Sequence, residues 1–227
     1  MSARVAILRP EPGASKTAER ARARGLEALV RPLFAVRPVP WTPPDPARFD
    51  ALLLTSAAAL RHAGPGLAAL RSLPVVAVGP ETERAARQAG LETTVTGDVG
   101  AARSLELARA RGFDRLLHLA ARERMPDAPG VEPVVVYASE ALPIEPGWTR
   151  VLADGWTALL HSPRAAARLA ELVDRDGAPR AAIRLAAISP AALAAAGGGW
   201  ASALAAPRPD DGALIDLARP DGDKRVP

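Results

Sequence analysis

Short apolar runs alternate with helix-forming stretches along most of the chain. Residues 5–8 (VAIL), 49–56 (FDALLLTS), 73–80 (LPVVAVGP), 113–120 (FDRLLHLA) and 131–139 (VEPVVVYAS) each read as a strand. So do 91–97, 155–163 (GWTALLHSP) and 183–190 (IRLAAISP). Most of these runs are apolar at nearly every position, as strands covered on both faces must be. The segments between them are rich in Ala, Arg, Glu and Leu, and predict helices over 15–24, 57–64, 81–90, 100–112, 164–173 and 191–196. Ser15 is the expected N-cap of the first helix, which Gly25 stops. Strand and helix in alternation predict parallel βαβ units and an α/β fold.

Residues 38–46 hold five prolines and read as a connection between lobes. Beyond residue 207 the chain is polar and Pro-rich around an amphipathic stretch at 210–218, and 221–227 read as a disordered end.

Two stretches echo each other. LLLTSAAALRHA is matched by ALLHSPRAAARLA, and VVAVGPETERAARQAG by LAAISPAALAAAGGG. In both copies the first strand ends in a hydroxyl residue and the second in a small residue followed by Pro. Repetition on this scale predicts two lobes of one architecture, the middle of the chain inserted as the second. Each corner starts a helix at the carboxyl end of a parallel strand, where free N–H groups and the positive dipole end favour an anion. Ser56 and Ser162 add hydroxyls there, either as substrate donors or as N-caps alone. The expectation is a small polyanion held in a cleft of two lobes.

Composition narrows this little. The chain has 227 residues, 48% hydrophobic and 24% charged, and no cysteine, so there is no disulfide framework and no thiolate chemistry. The net charge is +4, and of 29 basic residues only Lys16 and Lys224 are lysine. Arginine suits carboxylate partners, but the charges are scattered and aromatics few, so no nucleic-acid partner is expected. No run reaches the ~18 apolar residues of a membrane helix, and no apolar leader opens the chain. There is no G-x-G-x-x-G after the first strand and no nucleophile elbow.

The ordered set VAILRP, FDALLLTSAAAL, LPVVAVGPETERAARQAG, VVVYAS, ALLHSPRAAARL and AAISPAALAA, over residues 4–205, resembles the uroporphyrinogen-III synthase family. The resemblance implies two flavodoxin-like domains joined by an extended two-strand linker, residues 1–36 with 141–227 and an inserted 37–140. It implies a cytoplasmic, monomeric enzyme without metal or organic cofactor. Its substrate is the polycarboxylate hydroxymethylbilane, handed over from hydroxymethylbilane synthase. The family removes water from that linear tetrapyrrole, inverts ring D through a spiro intermediate and closes the macrocycle.

Carried over residue by residue, the resemblance makes Tyr137, the only tyrosine in the chain, the catalytic candidate: its phenol would donate to the departing hydroxide. Thr55, Ser56, Gly79, Thr82, Ser162 and Ser189 would line the corners. Arg9 and Arg122 would meet substrate carboxylates, with Arg124 beside Arg122 in the same loop. His161 stands where the family has Thr or Ser, and Ser189 where it has Gly. The loop from 120 to 132 is too short for the helix other members place there. These departures keep a second expectation open, a degenerate member that only binds a small anion or tetrapyrrole.

Overall fold

A computed structural model describes residues 3–97, 100–124 and 126–219. The end at 221–227, expected to be disordered, lies outside the described residues. The chain divides into two units, Met1–Ala35 with Ala141–Pro227, and Val36–Glu140.

The first unit begins with β1 (Arg4–Ile7), α1 (Gly13–Ala23) and β2 (Glu27–Val30). β3 (Phe34–Pro38) leads into the second unit. There follow β4 (Ala51–Leu54), α2 (Ala57–His62), β5 (Val75–Val78), α3 (Pro80–Gln88), β6 (Thr93–Gly97), α4 (Ala101–Arg109), β7 (Leu116–Ala121) and β8 (Val131–Ala141). The chain completes the first unit with β9 (Trp156–Leu160), α5 (Pro163–Asp176), β10 (Arg184–Ala187), α6 (Pro190–Ala195), β11 (Ser202–Ala205) and α7 (Asp211–Asp216).

The mixed α/β reading holds, with parallel sheets and strand–helix alternation. In the first unit the strands run β2-β1-β9-β10-β11, each pair parallel. In the second they run β8-β7-β4-β5-β6, again parallel, with β3 added beside β8. Two hydrogen bonds show β3 and β8 running antiparallel: Leu142 N to Leu33 O, and Val39 N to Val136 O, each 2.9 Å. Set side by side, the two five-strand orders place β4 where β9 stands and β5 where β10 stands. The echoed sequences therefore hold equivalent places in their sheets.

The buried strands explain the apolar runs. Leu52, Leu54, Leu117 and Leu119 are 0% exposed, each contributing about 2 kcal/mol of burial. Helix α5 turns Ala166, Leu169, Ala170 and Val173 onto its sheet at helical spacing. Ser162 caps it, and Gly177, with φ 60, ends it.

Three local readings are corrected. Helix α1 starts at Gly13, so Ser15 lies inside its first turn rather than at its cap. The Glu11 carboxylate takes the Ser15 backbone N–H (2.9 Å) and hydroxyl (2.8 Å) instead. The Pro-rich stretch 38–46 belongs to the second unit, where Trp41 Nε1 donates to Ala63 O at 2.8 Å. β11 escaped notice because SALA carries no β-branched or aromatic residue.

The units also differ on one face of their sheets. On one face of the first sheet, Ala14, Ala18 and Ala21 of α1 pack with Leu214 and Ile215 of α7. The connection from β7 to β8 holds no helix among its described residues, so α1 has no counterpart there. On that face of the second sheet α4 alone supplies a buried helical residue, Ala108.

Candidate functional site

In the second unit, β4 ends at Leu54 and delivers Thr55 and Ser56 to the carboxyl edge of the sheet. Ser56 is the N-cap of α2, its Oγ accepting from Ala58 N at 3.2 Å. An oxygen that accepts from a backbone N–H keeps its own O–H free to donate. The Ser56 side chain lies near enough to the phenol of Tyr137 to favour its ionised form, and β8 carries the phenol half-buried to the same corner. Burial raises the Tyr137 pKa, against the pull of Ser56 and Arg61, so the phenol is protonated at neutral pH. The His62 ring lies 6.0 Å from the Tyr137 ring.

Thr55 Oγ1 is 3.0 Å from Nε2 of His118, a buried residue of β7. His118 Nδ1 is 2.5 Å from Asp127 Oδ1, and Arg124 Nε donates to Asp127 Oδ2 at 2.8 Å. Burial lowers the His118 pKa, and the Asp127 carboxylate offsets this only in part. Burial alone would raise Asp127; the bonds from Arg124 and His118 hold it below the usual carboxylate range. An ionised carboxylate only accepts, so Nδ1 carries the imidazole proton and Nε2 accepts from the Thr55 hydroxyl. Asp127, His118 and Thr55 thus form one oriented chain of hydrogen bonds. It borders a cavity of about 390 Å³, with Leu53, Leu105 and Val131 on its apolar side. The cavity lies on the sheet face that has no counterpart of α1.

The first unit has a polar cluster at its own carboxyl edge. His161 follows β9 and occupies the place of Thr55. Its buried side chain bonds Asp211 Oδ1 through Nε2 at 2.8 Å. Its Nδ1 is buried, with the Leu159 backbone beside the ring. Burial lowers the His161 pKa more than Asp211 raises it, so the imidazole is neutral with its proton on Nε2. Asp211 also accepts from Thr17 (2.8 Å), Arg20 (2.7 Å) and Arg9 (3.3 Å). These bonds drive its pKa far down, against burial. Arg9, expected to meet a substrate carboxylate, is thus turned onto Asp211. Its guanidinium fills the space above Gly13, where a Cβ would stand 2.5 Å from Nε.

Ser162 and Ser189 cap α5 and α6, each Oγ accepting at 3.2 Å from Ala165 N and Ala192 N. Pro163 and Pro190 follow them and have no N–H. Those prolines leave each corner with fewer amide donors than a helix start usually offers, beside the serine hydroxyl. Gly79 caps α3 with φ 92, and Thr82 is buried in that helix. Glu81 and Glu83 in the first turn of α3 oppose an anion there. Arg122 is exposed, its backbone N donating to Tyr137 O at 2.9 Å. Among the described residues, no group of His, Asp and Glu could hold a metal ion.

The structure therefore brings Ser56 and Tyr137 close on one face of the second sheet, sets Thr55 against His118 on the other, and joins Arg9 to His161 through Asp211. Sequence reasoning missed His118, Asp127 and Asp211. A histidine in the otherwise apolar run LLHLA was the available signal for the first.

Residues 15–216 match the family model described as Uroporphyrinogen-III synthase HemD. No curated protein matches the chain. Among solved structures, it is similar in fold to the uroporphyrinogen-III synthetase of Helicobacter pylori. That likeness has 16% identity and a TM-score of 0.65 over 95% of this chain and 98% of the other. A mutant uroporphyrinogen III synthase of Thermus thermophilus is similar at 17% identity and a TM-score of 0.54, over 95% and 97% of the two chains.

Proposed function

We proceed from the family to which this chain belongs, the uroporphyrinogen-III synthases, and propose how its own residues carry that family's reaction. The protein is a cyclising lyase that closes hydroxymethylbilane to uroporphyrinogen III, losing water and inverting ring D. The match over residues 15–216 carries this reading, and it favours an enzyme over a module that only binds.

The reaction asks for modest proton chemistry and strict positioning. Departure of hydroxide leaves a resonance-stabilised azafulvene cation, and an acid near the leaving oxygen is worth ~10²- to 10⁴-fold. Tyr137 fits that part because burial keeps its phenol protonated at the carboxyl edge beside Ser56. Without guidance the chain closes with ring D uninverted. The protein must therefore favour attack at the substituted carbon, and orientation of that kind is worth ~7 kcal/mol or more. Substrate carboxylates are held by the hydroxyls of Ser162 and Ser189, and by Arg122, which is exposed. Ser56 and Thr55 serve the reacting end. His161 stands at the carboxyl edge of the first unit in the place of Thr55, held there by Asp211. Gly79 and Thr82 complete the binding set, although Glu81 and Glu83 make their corner the poorest for a carboxylate.

We read each unit as a flavodoxin-like domain, residues 1–36 with 141–227 and residues 37–140, joined by the two-strand linker of β3 and β8. The parallel orders β2-β1-β9-β10-β11 and β8-β7-β4-β5-β6 support that reading. No described helix is long and apolar enough to cross a membrane. The reading carries with it a cytoplasmic monomer that takes its substrate from hydroxymethylbilane synthase and needs no metal or organic cofactor.

The test is a coupled assay with freshly made hydroxymethylbilane, reading the ratio of type III to type I product. Predominant type III product supports the function. Type I alone, at the uncatalysed rate, rejects it.

A further inference from the structure

Loss of water from the bilane has two halves. Hydroxide leaves one end, and a hydrogen leaves the ring carbon at the other end as a proton once the macrocycle has closed. A site that supplies an acid for the first half needs an acceptor for the second. Tyr137 is an acid and is unsuited to both tasks at once. The acceptor must sit at the same carboxyl edge of the sheet, hold a lone pair at neutral pH and have somewhere to send the proton.

Thr55 meets these conditions only through what stands behind it. A threonine hydroxyl alone is too weak a base. Here it donates to His118 Nε2 at 3.0 Å, and the far side of that ring is tied to Asp127 at 2.5 Å. Arg124 holds Asp127 through Oδ2, and its Nη1 donates to Ala121 O at 3.3 Å. The Thr55 oxygen is then left with its lone pairs directed away from His118. The ring is buried in β7, yet its neighbours leave it a neutral base with one free direction of proton flow. A buried histidine inside an apolar strand costs desolvation, and the sequence of the strand gives no packing reason for it.

We propose that His118 and Asp127 are positioning residues that make Thr55 the proton acceptor of the ring-closing step. This rests on the function proposed above. In that step the C–H bond of the terminal ring D carbon breaks, and its electron pair restores the aromatic pyrrole. The proton passes to Thr55 Oγ1 while the threonine's own proton passes to His118 Nε2. The imidazolium so formed faces the Asp127 carboxylate. Its proton returns through solvent to the Tyr137 phenolate left by hydroxide departure, and the balance is one water released.

Asp127 and Arg124 are the charged groups that act on His118; burial places its pKa below the ordinary 6.5. The acceptor works only with His118 neutral, so turnover falls as pH drops through that value and is full above it.

The experiment is steady-state formation of type III product across about pH 5 to 8, the range where histidine titrates. Wild type is compared with H118Q, D127N, T55V and T55V/H118Q. The expected result for H118Q is a kcat lower by about 10- to 100-fold at little changed KM, with the acid limb of the profile gone. T55V shows the same loss, the double variant is no worse than either single, and D127N falls in between. T55S, which keeps a hydroxyl, recovers the limb that T55V loses. If H118Q does not fold, T55V decides, because it removes one hydroxyl at nearly constant shape. Wild type that makes type III product, with T55V or H118Q keeping its kcat and its acid limb, overturns this inference and leaves the function standing. Wild type that makes only type I product overturns both.

Discussion

Gly79 and Ser189 hold the same corner of the two sheets on different backbones. Gly79 has φ 92 and ψ 159, whereas Ser189 has φ −157 and ψ 160. Only the first lies where an L side chain is strained. The extended turn of the first unit accepts a serine at the place of Gly79, and its Oγ caps α6. Gly79→Ala places a methyl in open space, so its cost is backbone strain alone. We expect a loss of about 1 to 3 kcal/mol in chemical unfolding. Ser189→Gly, which removes a cap but no required torsion, should cost only a few tenths, roughly 0.3 kcal/mol.

Asp211 should govern the titration of His161. It is the partner whose hydrogen bond favours the charged imidazole, against burial and the Arg9 charge. In Asp211→Asn the His161 pKa should fall further below 6.5, followed by ring-proton shifts in NMR. An unchanged or higher value would mean that Asp211 does not face the ring. The same variant strips the charge from the acceptor of Thr17, Arg9 and Arg20 and should lower the thermal midpoint of the first unit.

Tyr137→Phe keeps the ring and its packing beside His62 but removes the donor. We expect kcat for type III product to fall about 10- to 100-fold, below the ceiling for a general acid because water replaces the phenol in part. Chemical unfolding should be unchanged within about 0.5 kcal/mol. No change in kcat would remove Tyr137 from the reaction.

Asp176 links the acid stability of the first unit to a buried network. Its carboxylate accepts from Thr149 N (3.1 Å) and Oγ1 (2.7 Å), and from Arg175 Nε (2.8 Å). These bonds outweigh burial and hold its pKa far below the usual carboxylate value. A depressed folded pKa contributes stability above the unfolded value of about 3.9, and that stability is lost as pH falls. Asp176→Asn should therefore unfold at lower urea than wild type at neutral pH. The difference should shrink on acidification below about pH 4. A gap independent of pH would show that the charge contributes nothing.

Strand and helix alternation was legible because the buried strands are nearly all apolar and the helices begin at Ser or Pro and stop at Gly. Ser162, Pro163 and Gly177 around α5 are one such set. The echo was legible for the same reason: β4 and β9 hold the same place in their sheets. The site was legible only in part. Tyr137 and Ser56 meet through pairing of β8 with β7, a contact that no local pattern encodes. His118 and Asp127 lie nine residues apart and join across a connection with no helix among its described residues. Asp211 lies 50 residues beyond His161, in a tail that reads as mere amphipathic end. A polar residue in an apolar strand marks such networks without naming their partners.

The central proposal is that the carboxyl edge of each sheet binds substrate carboxylates through serine hydroxyls and helix-start amides. Amide NMR of the whole chain, titrated with uroporphyrinogen III under reducing conditions, tests it most directly. The account predicts shifts concentrated at residues 55–58, 161–165 and 189–192, with weaker ones at 79–82, and their loss with Ser56→Ala or Ser162→Ala at the matching corner. Shifts at the amino ends of the strands, with those corners silent, would contradict it.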